Sequence, residues 1–152
     1  MITLRLPYPI SANRYWASRV IKAKATGKWM AMTYVTKEAM EYRQEVARLA
    51  EAAGITEMFT GRVALDLKLY PHRPLDWAAR VRKLAANWDD TVQCIDLGNA
   101  EKVLSDALQG ILFPDDKWIW RQTKERMEPD GDARVIVTIT PIVVVAVQAG
   151  LL

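Results

Sequence analysis

Asp96, Asn99, Lys102 and Asp106 fall within eleven residues, the last three at spacings that share one polar helical face, and Asp115-Asp116 follows shortly after. Gathered carboxylates beside a lysine suit phosphodiester hydrolysis. Their oxygens hold Mg²⁺ or Mn²⁺, which activates water and offsets charge developing on the phosphate. The lysine steadies the scissile phosphate or the leaving oxygen as a point charge. A single histidine, His72, and a single cysteine, Cys94, exclude a multi-His or Cys/His metal centre and an intramolecular disulfide. With no base identifiable nearby, Cys94 reads as a small buried hydrophobe, and Ser11 lacks a histidine partner for serine chemistry. Plainer readings stay open. Lys102 and Asp106 also fit an i,i+4 surface ion pair, and Pro114-Asp115-Asp116 fits an ordinary turn.

The elements must bring these groups together. The spacing predicts a helix from about Asn99 to Gln109 burying Ala100, Val103, Leu104, Ala107 and Leu108, with Gly110 as its stop. Such a helix is about 16 Å long, so Asp115 and Asp116 meet Asp96 only if the following strand folds back beside it. Thr36 is the expected N-cap of an earlier helix reaching about Ala53, with Tyr42, Val46, Leu49 and Ala50 on one face. Alternation predicts strands over Ile2 to Leu6, Arg62 to Tyr70, Trp118 to Lys124 and Ala133 to Thr140. Residues 10–35 show no clean period and read as a long loop; residues 72–94 read as irregular, with a short helix around Trp77 to Ala86. Trp118 and Trp120 are expected in the core or a dimer interface. The fold class is α+β: a small mixed sheet of about four strands with two helices packed on it, in one domain over residues 1–141. Residues 142–152 form an apolar tail.

The 152 residues carry a net charge of +3, unevenly placed. Met1 to Lys37 contains no Asp or Glu against seven bases, whereas the rest of the chain carries 14 bases and 18 acids. Arg14, Arg19, Lys22, Lys24 and Lys28 are interleaved with Tyr8, Tyr15, Trp16, Trp29 and Tyr34, a pattern suited to a phosphate backbone and unstacked bases. Arg73, with Arg80, Arg82 and Lys83, forms a second basic cluster. A solvated, flexible basic arm around Lys22 to Lys28 is the competing reading. No apolar run reaches the roughly 18 residues of a membrane span, and the expected setting is cytoplasmic.

The motif Leu6-Pro-Tyr-Pro-Ile-Ser-Ala-Asn-Arg-Tyr-Trp16 resembles the opening of the RusA family of Holliday junction resolvases. Asp96-Leu-Gly-Asn-Ala-Glu-Lys102 resembles that family's Asp-x-Asp-Asn-x-x-Lys motif, and Asp106-Ala-Leu-x-Gly110 and Asp115-Asp116 continue the pattern in order. The resemblance implies a homodimeric, Mg²⁺-dependent endonuclease, of phage or prophage origin, that binds four-way DNA junctions and cuts two opposing strands symmetrically. It implies that Asp96 and Asp116 are metal carboxylates, that Lys102 is the catalytic lysine and that Asn99 supports them. Asp115, Asp106 and Asn13 match family positions of less defined role.

One departure matters. The family's second aspartate is Gly98 here, which offers no side-chain ligand. Three explanations stand: a junction binder that no longer cuts, a copy altered to be inactive, or replacement of the missing ligand by Asp89, Asp90 or Asp115. A junction-binding protein of the same fold without metal is therefore the main rival to a resolvase. A binder of single strands through Trp16, Trp29 and the basic segment is a third reading.

Overall fold

The computed structural model describes residues 1–146. Its centre is strand β4 (Val63–Tyr70), whose Val63, Leu65, Leu67 and Leu69 are all buried on one face. Around it runs a four-stranded sheet ordered β1 (Ile2–Pro7), β6 (Arg134–Pro141), β4, β5 (Ile119–Arg126). β4 and β5 are parallel, and the other two pairings are antiparallel. Leu4, Leu6, Val135, Val137 and Ile139 extend the apolar face that β4 begins. Period-two alternation with one face covered is what an antiparallel-rich sheet requires.

Two helices cover that face. α2 (Lys37–Ala52) starts at Thr36, whose hydroxyl accepts the Ala39 amide at 3.1 Å, and it buries Ala39, Tyr42, Val46 and Ala50 against β1. The Tyr42 hydroxyl donates to the Pro7 carbonyl at 2.8 Å and fastens the helix to the strand end. α4 (Leu97–Leu108) buries Ala100, Val103, Leu104, Ala107 and Leu108 against α2 and β5. The expected α+β architecture in one domain is the observed one. α4 begins two residues earlier than the spacing predicts, because the Asp96 side chain caps it.

Residues 10–35 are not the loop the sequence suggests. They fold into a helical turn, α1 (Ala12–Tyr15), followed by a hairpin of β2 (Trp16–Lys22) and β3 (Trp29–Val35) that pairs with no other strand. The reason is exposure: both faces of the hairpin beyond its base meet solvent, so its residues carry no apolar alternation. Trp120 is 60 % exposed beneath Arg62, and Trp118 is only half-buried, so of their two expected settings, core or dimer interface, the core is excluded. The segment after β4 holds α3 (Trp77–Leu84), as expected, and a 3-10 segment, Ala85–Thr91, that continues it. Past Pro141, no strand forms through residue 146, and Val143, Val144 and Val145 are exposed; the remainder of the expected tail, 147–152, lies outside the described residues.

Candidate active site and nucleic-acid interface

Asp96 sits at the positive end of α4, and Asn99 holds it there. The Asn99 amide N–H donates to Asp96 Oδ1 at 2.7 Å and its Nδ2 donates to Oδ2 at 2.8 Å. These two bonds, the side-chain one first, keep the Asp96 carboxyl below its usual range and therefore ionised. Asn99 Oδ1 in turn accepts the Ala12 amide at 3.1 Å, locking α1 to the start of α4. Asp96 and Asn99 line a cleft of about 690 Å³ with Ser11, Arg14, His72 and Cys94.

An adjoining cleft of about 350 Å³ holds most of the other predicted residues. Gly98, Lys102 and Asp106 line it from α4, Asp116 from the turn before β5, and Trp16 from the base of the hairpin. Gly98, Glu101, Lys102, Ser105 and Gln109 follow helical i, i+3, i+4 spacing and form its floor. β5 does fold back beside the helix, since Lys124 ion-pairs with Glu101. Lys102 makes no ion pair with Asp106 among the described residues; its Nζ lies 4.8 Å from the centre of the Trp16 ring, a cation–π contact joining α4 to the hairpin. Asp106 instead accepts a hydrogen bond from the Tyr15 hydroxyl. Burial first, then Asp106, pushes the Tyr15 phenol well above its ordinary pKa, so it stays a donor. Asp115 accepts the Lys117 amide at 2.9 Å, which lowers its own pKa and shapes the turn that presents Asp116.

The structure thus brings Lys102, Asp106 and Asp116 to one cleft and puts Asp96 in the next, with Gly98 between. A Cβ built on Gly98 would meet Asp96 Oδ1 at 3.5 Å, ordinary contact, and its backbone is not left-handed. Nothing about space or conformation calls for glycine there. Of the replacements considered, Asp89 and Asp90 lie in the 3-10 segment, and neither they nor Asp115 line either cleft. Asn13 is exposed and lines neither cleft. Glu101 went unnoticed, because a glutamate inside an amphipathic helix reads as part of its solvated face.

The basic residues divide. On the hairpin, Lys22 lies over the Trp29 ring at 5.9 Å and Arg19 over Tyr34 at 5.6 Å, while Lys24 and Lys28 flank its turn. Trp29 is 69 % exposed. Arg14 is drawn to Glu38, and Arg73 stacks on Trp77 at 4.5 Å, away from the hairpin. Tyr15 is buried, so its ring serves no stacked base, while the half-buried Tyr8 is fixed at the cleft by its hydroxyl, which accepts the Ile95 amide at 2.7 Å.

A family model described as Endodeoxyribonuclease RusA matches residues 7–140. The chain belongs to the RusA endodeoxyribonuclease family. No curated protein matches it. Membership assigns the chain to a family of nucleases that act on Holliday junctions. Among the described residues, no helix is long and apolar enough to cross a membrane, and no three His, Cys, Asp or Glu side chains form a group able to hold a metal. Mg²⁺ does not need such a cage. It keeps several waters and uses one or two carboxylates together with substrate phosphates. Asp96, kept ionised, and exposed Asp116 offer oxygen donors of the kind that mode uses.

Proposed function

We propose that this RusA-family chain is a Mg²⁺-dependent (or Mn²⁺-dependent) endonuclease that resolves four-way DNA junctions as a homodimer, each subunit cutting one strand. The observation that carries the reading is the shared cleft: Lys102 and Asp116 line it together with Trp16, where the acid-free basic hairpin begins. Asp96 and Asp116 would hold the cation, which when bound supplies an activated water and charge neutralisation. Lys102, held over Trp16, positions the scissile phosphate and stabilises charge on its oxygens. Asn99 keeps Asp96 ionised and aimed, and Asp115 shapes the Asp116 turn. Arg19, Lys22, Lys24 and Lys28 bind the phosphates of a junction arm, with Arg14 and Arg73 contacting DNA beside the Asp96 cleft and beyond it. A homodimer suits the substrate, because a four-way junction presents two equivalent scissile phosphates about a two-fold axis.

A second reading, a junction-binding protein that does not cut, is favoured by Gly98 and by the lack of a ready three-ligand group among the described residues. One assay separates them: a labelled synthetic four-way junction with Mg²⁺, offered to the chain, to Gly98→Asp and to Lys102→Ala. The nuclease reading expects paired nicks from the native chain and none from Lys102→Ala, which still binds the junction. Cutting by Gly98→Asp alone establishes the binding protein. Loss of binding in proportion to cutting in Lys102→Ala removes that lysine from catalysis.

A further inference from the structure

We propose that one face of the β2–β3 hairpin, the face that begins at Trp16, is a track for a duplex arm of the junction. Lys22 and Trp29 then meet that arm about six base pairs out from the Lys102 cleft. This deepens the junction-binding reading above and rests on it. Directly opposed residues of an antiparallel pair share a face, as do alternate residues along each strand. Trp16 opposes Val35 at the base of the hairpin, Ser18 opposes Thr33 midway and Lys22 opposes Trp29 at the tip, so all six lie on one face. At the base this face turns toward the protein: Trp16 and Val35 pack against the core, and Lys102 Nζ lies over the Trp16 ring. Lys102 and Trp29 therefore stand at the two ends of one surface. Lys22 follows Trp16 by six positions of β2. At about 3.4 Å per strand residue that is about 20 Å, the axial length of about six base pairs. The right-handed twist of the ribbon turns the surface along its length, as the grooves of a duplex turn about their axis.

The chemistry of the track selects a polyanion. No Asp or Glu occurs anywhere from Met1 to Lys37. Lys24 and Lys28 flank a tip turn closed by the Ala23 amide donating to the Lys28 carbonyl at 2.8 Å. The cation–π contact with Trp29 keeps the Lys22 ammonium on this face, at its solvent end. Midway, the exposed Ser18 and Thr33 hydroxyls, 3.5 Å apart, offer hydrogen bonds to phosphate oxygens. The base is fastened, since the Thr36 amide donates to the Tyr15 carbonyl at 3.0 Å. Beyond it the hairpin pairs with no other strand. A two-stranded ribbon alone is marginally stable in water, so this surface is one that a partner completes.

The test reads binding and needs no cutting. A fixed four-way junction carries one neutral methylphosphonate linkage, moved stepwise from the branch point to about ten base pairs along an arm and its two-fold mate. Fluorescence anisotropy in Ca²⁺ gives the affinity of the native chain and of Lys22→Ala for each junction, and for an unbranched single strand. Lys22 is exposed, and a thermal melt checks that its replacement leaves the chain folded. Linkages beside the branch are expected to weaken both proteins alike. Linkages about four to seven base pairs out should weaken the native chain by about threefold or more and leave Lys22→Ala nearly unaffected, because the charge that reads them is gone. A native penalty missing from that window, or one that Lys22→Ala retains, overturns the inference while junction binding stands. Equal affinity for the junction and the single strand overturns the inference and the junction reading together.

Discussion

Asn99 spans the Asp96 carboxylate and the first amide of α1, so removing its side chain should be felt on both sides. Its Nδ2 bond is the largest influence holding the Asp96 carboxyl down. A depressed carboxyl contributes its charge-dependent stability above the unfolded pKa and loses it as pH falls through the lower folded value. Asn99→Ala should therefore raise the Asp96 pKa toward the ordinary range and shift the acid limb of cation binding to higher pH. A ¹³C NMR titration of the Asp96 carboxyl reads this directly; an unmoved titration would assign the depression to the backbone amides instead. At this scale the sequence carries what is local. Asp96, Asn99 and Lys102 lie within one helical stretch, and their spacing implies a shared helix start. The Tyr15 hydrogen bond to Asp106 joins residues 91 apart, and no periodicity carries that. The Glu101–Lys124 ion pair likewise joins α4 to β5 across 23 residues, which no local spacing carries.

Elements were legible where burial imposes a period. β4 and the two packed helices each have one covered face, and their apolar positions mark them in the sequence. The hairpin has no covered face beyond its base, so the same logic finds nothing there, although its strands pair over seven residues. The join between α3 and the 3-10 segment is a further case that side-chain pattern does not reveal. Ala85 sits there at φ 52°, ψ −129°, a conformation that glycine adopts freely and alanine does not. Ala85 is also exposed, so little packing is lost by trimming it. Ala85→Gly should raise stability by about 1 kcal/mol, strain relief outweighing the added freedom of the unfolded chain. Urea denaturation measures it; a loss of stability would mean the backbone relaxes at Ala85 without help.

For the whole molecule the governing quantity is where charge lies. A net charge of +3 says little, but the hairpin lies within an acid-free first quarter of the chain, so its Arg19, Lys22, Lys24 and Lys28 concentrate positive potential beside the cleft. The alternative of a solvated, flexible arm is answered in part by structure: the strands are paired, and Arg19 and Lys22 rest on aromatic rings. Trp16 belongs both to the hairpin and to the wall of the Lys102 cleft, so DNA on the arm would lead into the proposed site. Each phosphate contact releases condensed counterions, and the logarithm of affinity falls with the logarithm of salt by about 0.9 per contact. Replacing Lys22, Lys24 and Lys28 together with alanine should therefore weaken junction binding and flatten its salt dependence by roughly 2 to 3 units of slope. Fluorescence anisotropy of a labelled junction across a salt series measures both quantities. A weaker affinity with an unchanged slope would locate the phosphate contacts elsewhere, with the Arg73, Arg80, Arg82 and Lys83 group next to be tested. An unchanged affinity would free the hairpin from DNA binding altogether.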